Sequence, residues 1–292
     1  MQRRDFISLA LGGAAVAGSG AMVSCSGDGE HGSGLQAFRS LETVYDANGK
    51  RKIPWQNWSG YLHSYPDKRI TPSDEAELAQ ILQTAASPIR PAGASHSFTP
   101  LVPTDGSLLS LRKFSGMSSY DPKAMTATFG AGTRIGSVGA PLDAVGQALP
   151  NMPDIDEQTL AGAMATATHG SGHSLPALHG QVESLRLVAV NGEVIDCSNT
   201  RNSEVFNAAL VSMGSLGVVT QYTLKNMASY KLKRKTWIAP FDEFVDGFAD
   251  MVKQYHSLEF YYIPYCDYVL AVGMAMTDDP VSPRTEDGDN DA

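Results

Sequence analysis

The residues best suited to chemistry in this chain are two short runs of small side chains, each carrying a histidine. They are Gly93-Ala94-Ser95-His96-Ser97-Phe98 and Thr166-Ala167-Thr168-His169-Gly170-Ser171-Gly172. Small side chains let backbone N–H groups approach a diphosphate unobstructed, so a loop of them forms an anion nest. An imidazole at the end of the first run, His96, can also bond covalently to a carbon of a cofactor ring. On those six residues alone, an ordinary turn with an exposed histidine fits equally well.

Other chemistries are represented by weaker patterns. Gly130-Ala131-Gly132-Thr133-Arg134-Ile135-Gly136 lies between a strand-like and a helix-like segment, which is nearly a dinucleotide fingerprint. Its third glycine falls one position late, and Ile135 stands where close helix–strand packing wants that glycine. His169, His173 and His179, at spacings of four and six, offer imidazoles that zinc accepts. The glycine, serine and proline between them deny the helix that would align the first pair. No Gly-x-Ser-x-Gly run supports a serine hydrolase. Cys197 and Cys266 match no Cys-x-x-Cys spacing and are expected to pack as small buried hydrophobes.

The elements that must position these runs read as an alternating α/β chain. Thr71-Pro72-Ser73-Asp74 predicts a helix start, and Leu78, Ile81, Leu82 and Ala85 form its apolar stripe. Strands are expected over 88–92, 107–111 and 124–129, then a helix over 135–148 and a loop over 150–159. Asn191-Gly192 between two apolar runs marks a hairpin. A helix over 203–211 and an alternating strand over 217–224 follow. Near Asn226 the texture changes to a basic strand (231–238), a helix (241–255) and strands over 259–264 and 268–276. The acidic, proline-containing stretch 277–292 reads as a loop or disorder.

Composition narrows the partners. A chain of 292 residues with 42% hydrophobic and 18% charged side chains has the makings of a folded, turn-rich protein. Its net charge of −9 argues against a nucleic-acid partner, which requires a basic face. The one basic run, Lys231-Leu232-Lys233-Arg234-Lys235, is expected to be a solvated strand edge. At the N-terminus, Arg3-Arg4 precedes Phe6-Ile7 and an Ala/Gly-rich apolar stretch, which predicts a twin-arginine export signal over residues 1–25 and a periplasmic or envelope location. Cys25, after Met22-Val23-Ser24, loosely matches a lipoprotein cleavage box, so a lipid anchor there is an expectation, with 26–51 as linker.

Read together, Trp55-Gln56-Asn57-Trp58-Ser59-Gly60, Arg90 to Phe98, Thr104-Asp105-Gly106, Gly130 to Thr133, Thr166 to Gly172 and Gly214 to Thr220 resemble the vanillyl-alcohol-oxidase-type flavoproteins. Within them the chain is similar to the alditol oxidase, gulonolactone oxidase and arabinonolactone oxidase group, over Lys52 to about Met276. The resemblance implies an α+β fold, with a PCMH-type FAD-binding domain of two subdomains (52–225) followed by a partial α+β substrate domain (226–276). It implies FAD attached covalently to His96, with Arg90, Pro91, Ala92, Gly93, Ala94, Ser95, Ser97 and Phe98 around the diphosphate. Gly130, Ala131, Gly132 and Thr133 would run along the flavin, as would Thr166, Thr168, His169, Gly170, Ser171 and Gly172. Gly214, Gly217, Val218 and Val219 would lie near the adenine, and Ala131 occupies a position where side-chain size affects access of O2. The implied reaction is oxidation of a hydroxyl group in a polyol, sugar or aldonolactone, with O2 or another acceptor taking the electrons. Members continue well beyond residue 292, so the chain is expected to be C-terminally truncated and its general base to lie outside it.

Overall fold

The computed structural model describes residues 41–84 and 88–282. The signal-like stretch, Cys25, most of the linker, Ala85 and the end of the acidic tail lie outside the described residues. In chain order the elements are β1 (Trp55–Gln56), β2 (His63–Ser64), β3 (Lys68–Ile70), α1 (Glu75–Thr84), β4 (Ile89–Ala92), β5 (Ser107–Ser110), β6 (Met117–Asp121) and β7 (Thr126–Gly130). Then come α2 (Gly139–Asp143), β8 (Gln147–Ala148), α3 (Leu160–Ala165), β9 (Val182–Val188), β10 (Val194–Ser198), α4 (Ser203–Ala209) and β11 (Val218–Lys225). The last are β12 (Met227–Ala228), β13 (Leu232–Pro240), α5 (Phe241–Met251), β14 (Ser257–Tyr262) and β15 (Tyr268–Met276).

Two sheets carry the loops of interest. One is parallel and three-stranded, in the order β3-β5-β4. The chain crosses from β3 to β4, which flank β5, through α1, as parallel strands of one sheet require. The other is antiparallel and five-stranded, in the order β10-β9-β11-β7-β6. Alternation decides which face of β11 is buried: Val218, Thr220, Tyr222 and Leu224 point inward. Tyr222 and Leu224 stand opposite Phe129 and Ala127 of β7, and all four are buried. Leu78 of α1 and Leu109 of β5 belong to the same core, so both sheets share it. A third sheet, β13-β15-β14, has its own small core, where Phe244 of α5 packs on Val269 and Ala271.

The α1 start lies three residues later than the sequence suggests. Asp74 Oδ1 accepts a hydrogen bond from the Glu77 N–H (2.8 Å), and Glu77 Oε2 accepts one from the Ser73 N–H (2.7 Å). The first bond satisfies one open donor of the first turn, the second ties Glu77 back to the residue before the cap, and Thr71 has no part in either. The helix expected over 135–148 is instead a 3-10 turn at Ile135–Ser137, the short α2 and β8. Gly136 is pressed against the Asp156 carboxylate and Gly146, at φ +73°, ends the segment. The edge strand β6 escaped notice because its residues are mostly exposed and show no alternation. Cys197 is buried as expected, whereas Cys266 sits half-buried in the β14–β15 turn. The basic run lies on β13, at the edge of its sheet and exposed.

An ionic network ties α1 to the antiparallel sheet. Arg186 of β9 donates to Asp196 (2.6 Å) and approaches Glu75 at 3.6 Å, while the Thr220 hydroxyl donates to Glu75 (2.5 Å). The Arg186 hydrogen bond holds the Asp196 carboxyl below the usual carboxylate range. A carboxyl depressed in the folded state adds stability above its unfolded pKa and loses it as pH falls through the folded one. Arg186→Met is therefore expected to flatten the loss of stability below about pH 4, by about 1 kcal/mol or less for so exposed a pair, as measured by urea denaturation across pH. Gly217 stands at φ +140°, and a Cβ there would overlap the Val188 carbonyl. Gly217→Ala is expected to cost about 1–3 kcal/mol in the same measurement.

Candidate cofactor site

The first run begins where β4 ends, at the carboxyl end of a parallel strand, where ligands of α/β sheets gather. Arg90, exposed, and Pro91 and Ala92, half-buried, lie in β4; Gly93 to Phe98 form the loop after it. None of the six backbone N–H groups from Gly93 to Phe98 has a hydrogen-bond acceptor among the described residues. Buried backbone donors are almost always paired, and Ala94 to Ser97 are half-buried. Ser95 adopts a left-handed conformation, φ +64°, which turns successive N–H groups toward a common point. A row of open donors on a curled backbone suits an anionic diphosphate.

The loop is held from behind by the 55–58 segment. Trp55 Nε1 donates to Ser95 Oγ (3.0 Å), the Trp58 N–H to the Ser95 carbonyl (2.8 Å), and Asn57 Nδ2 to the Ser97 carbonyl (3.1 Å). The His96 ring stacks on Trp58 at a centroid distance of 5.6 Å and 19° between planes. Neither imidazole nitrogen is engaged in a hydrogen bond among the described residues. Phe98 meets the same indole edge-on at 6.4 Å.

Around α3 the other runs come together. Its sequence, Leu160-Ala-Gly-Ala-Met-Ala165, is small enough for backbones to touch it closely. Thr159 caps it through Gly162 N–H (3.4 Å), and a Cβ at Gly93 would overlap the Thr159 hydroxyl. The Leu160 and Ala161 N–H groups donate to the carbonyls of Thr133 and Ala131 (2.8 and 2.9 Å). Gly130 and Gly132 are obligatory there, because a Cβ on either would strike the backbone of Phe114 or Leu111. Thr133 Oγ1 donates to the Gly130 carbonyl (2.6 Å) and accepts from the Gly116 N–H (2.9 Å). Ala131 is fully buried in the core. At the other end of α3, the Ala165 carbonyl accepts from the Met213 N–H (3.3 Å), which attaches the turn of Gly214 and so the start of β11, Gly217 to Val219.

The second run leaves α3 through Thr166, whose hydroxyl donates to the Gly162 carbonyl (3.0 Å), and Thr168, which accepts from Gln158 Nε2 (3.1 Å). His169 is exposed, and its Nδ1 lies 2.9 Å from the Gly170 carbonyl. A Cβ on Gly170 would overlap Asn151 and Met152, and one on Gly172 would overlap Leu175. Ser171 Oγ donates to Glu259 of β14 (2.8 Å), which fastens this run to the third sheet. Nearby, burial lowers the pKa of His256, whose ring packs against Tyr230 at a centroid distance of 5.1 Å and a tilt of 45°.

The two competing readings find no support in this geometry. Among the described residues no three His, Cys, Asp or Glu side chains gather as metal ligands would. β7, which precedes the Gly130 turn, is antiparallel to both its neighbours, so the turn lacks the βαβ setting of a dinucleotide fingerprint. Sequence reasoning missed Thr159, Asn151 and Glu259, and gave Trp58 no role. The signal for Thr159 was present: a threonine directly before a run of helix-forming residues is a capping position.

Gly93→Ala is expected to destabilise the fold by about 1–3 kcal/mol by forcing its methyl into Thr159. Thr159→Ala alone is expected to cost about 0.5–1 kcal/mol as a lost cap. Combined, the two should cost less than their sum, because the second removes the obstruction; a double-mutant cycle by chemical denaturation reads the difference.

Residues 66–198 match the family model described as FAD binding domain. The chain is 33% identical over 239 residues to L-gulono-1,4-lactone dehydrogenase of Mycobacterium tuberculosis, covering 78% of this chain and 54% of that protein. It is 27% identical over 238 residues to L-gulonolactone oxidase of Bos taurus, covering 80% and 54%. Cholesterol oxidase from Brevibacterium sterolicum superposes with a TM-score of 0.68 at 19% identity, over 78% of this chain and 48% of that one. The chain thus spans about half the length of the curated relatives it matches. Residues 66–198 are an FAD binding domain, and FAD is its cofactor.

Proposed function

We propose that the whole protein oxidises a hydroxyl-bearing carbon of an aldonolactone, or of a related polyol or sugar, and holds its FAD covalently through His96. The likeness to L-gulono-1,4-lactone dehydrogenase carries the substrate class. The six open N–H groups of Gly93 to Phe98, with His96 among them, carry the cofactor role. When bound, FAD supplies a two-electron acceptor for the hydride; O2 or another acceptor then takes the electrons. The chain's own part is to seat the diphosphate on the Gly93–Phe98 loop and to frame the cofactor with the Gly130–Thr133 turn and the Thr166–Gly172 run. The Gly214–Val219 turn, at the far end of α3, is assigned to the adenine side. The Arg3-Arg4 stretch supports twin-arginine export, a route that carries proteins already folded around their cofactor.

A second reading is a flavin-binding module without turnover, since every residue assigned above serves the cofactor and none the substrate. The test is the visible spectrum of the chain assembled with FAD, before and after acid precipitation. A yellow pellet is expected for the native chain, and a colourless pellet with yellow supernatant for His96→Ala. Colour lost from both pellets removes the covalent link. Bleaching of the flavin band by L-gulono-1,4-lactone or a polyol identifies an enzyme, and a coloured chain that none of them bleaches identifies the module.

A further inference from the structure

We infer that Trp58 is a positioning residue for the covalent attachment at His96, an inference that rests on the attachment proposed above. The His96 imidazole makes no hydrogen bond among the described residues, so nothing polar sets its orientation. Its contact is the Trp58 indole, nearly parallel at 19° and 5.6 Å. The backbone that carries the indole is locked to the backbone that carries the imidazole. Trp58 N–H donates to the Ser95 carbonyl, one residue before His96, and Asn57 Nδ2 donates to the Ser97 carbonyl, one residue after it. Asn57 is itself buried at 4% exposure, and its Oδ1 accepts from the Leu62 N–H (2.9 Å). Phe98 closes the far edge of the indole.

Trp58 is not there to fill a core. It is 67% exposed, so its burial adds little to stability. What the indole supplies is a flat wall in fixed register with one side chain. A free histidine samples three χ1 wells and a roughly two-fold χ2, about six orientations. The stacked ring is confined to one, with both nitrogens open. In the attachment step a ring nitrogen of His96 forms a C–N bond to a ring-methyl carbon of FAD. One N–H and one C–H bond are lost, and two electrons and two protons pass to dioxygen, giving hydrogen peroxide. Holding the nucleophile in one orientation speeds that step without strengthening cofactor binding as such.

The test is a time course with the full chain and added FAD, in native, Trp58→Ala, Trp58→Leu, Trp58→Phe and His96→Ala forms. Total bound flavin is read from the visible spectrum, and attached flavin from the acid-stable fluorescence of the pellet. Trp58→Ala and Trp58→Leu are expected to bind FAD yet accumulate the acid-stable form about sixfold more slowly. Trp58→Phe, which keeps a flat face, is expected to restore the native rate within about twofold. Should Trp58→Ala fail to fold, Trp58→Leu, which keeps apolar bulk without a ring, carries the comparison. Native rates in both would overturn the inference, as would a Trp58→Phe variant as slow as Trp58→Leu. Flavin that binds the native chain but never becomes acid-stable removes the attachment itself and this inference with it. Acid-stable flavin that persists in His96→Ala places the link elsewhere, with the same consequence.

Discussion

Backbone contact with a six-residue helix, α3, is the constraint on which the cofactor region depends. A helix of ordinary side chains keeps neighbouring backbones about 8–10 Å from its axis. At Leu160–Ala165 the open groups of the helix ends, two N–H groups at its start and one carbonyl at its end, bond directly to the backbones of Thr133, Ala131 and Met213. Three loops far apart in sequence are thereby joined to one short element. Gly93 abuts its cap, the 130–133 turn is bonded to its first residues, and the 213–217 turn to its last. None of these contacts depends on a long side chain holding a single rotamer, so the loops are placed by backbone geometry.

The same economy explains where glycine is required. Gly130, Gly132 and Gly170 have no room for a Cβ because another strand's or loop's backbone lies against them. Gly214 has open space around it and is needed instead for its left-handed backbone, φ +77°. The glycines that make the chain resemble a flavoprotein therefore serve two different ends, close approach and turning. Polar anchoring comes from farther away. Ser171 reaches Glu259, and Ser95 is held by Trp55, so the two histidine-bearing runs are steadied by different parts of the chain.

Much of this was legible in the residues. β11 follows from alternation, and the Asn191-Gly192 hairpin forms, though its turn takes in an extra residue, with the Ala189 N–H bonded to the Glu193 carbonyl and Gly192 at φ +82°. The loop at His96 was visible as a run of small side chains, but its openness was not. Whether a backbone N–H is paired is a tertiary fact, and no local pattern records it. The 135–148 stretch misled because its apolar spacing suits a helix, while Gly136, Gly146 and the Asp156 contact decide otherwise. Thr159 and Glu259 act through partners distant in sequence, where single-chain patterns carry little information.

The unpaired donors of Gly93 to Phe98 also have a thermodynamic consequence. N–H groups that find no acceptor among the described residues gain little from the folding of the loop by itself. Its ordering is linked to ligand: occupancy adds a stabilisation that grows with the logarithm of free ligand over its dissociation constant. A ligand tethered to the chain escapes that dependence, because dilution no longer removes it. In a compartment where free cofactor is scarce, a tether would turn a concentration-dependent stability into a permanent one.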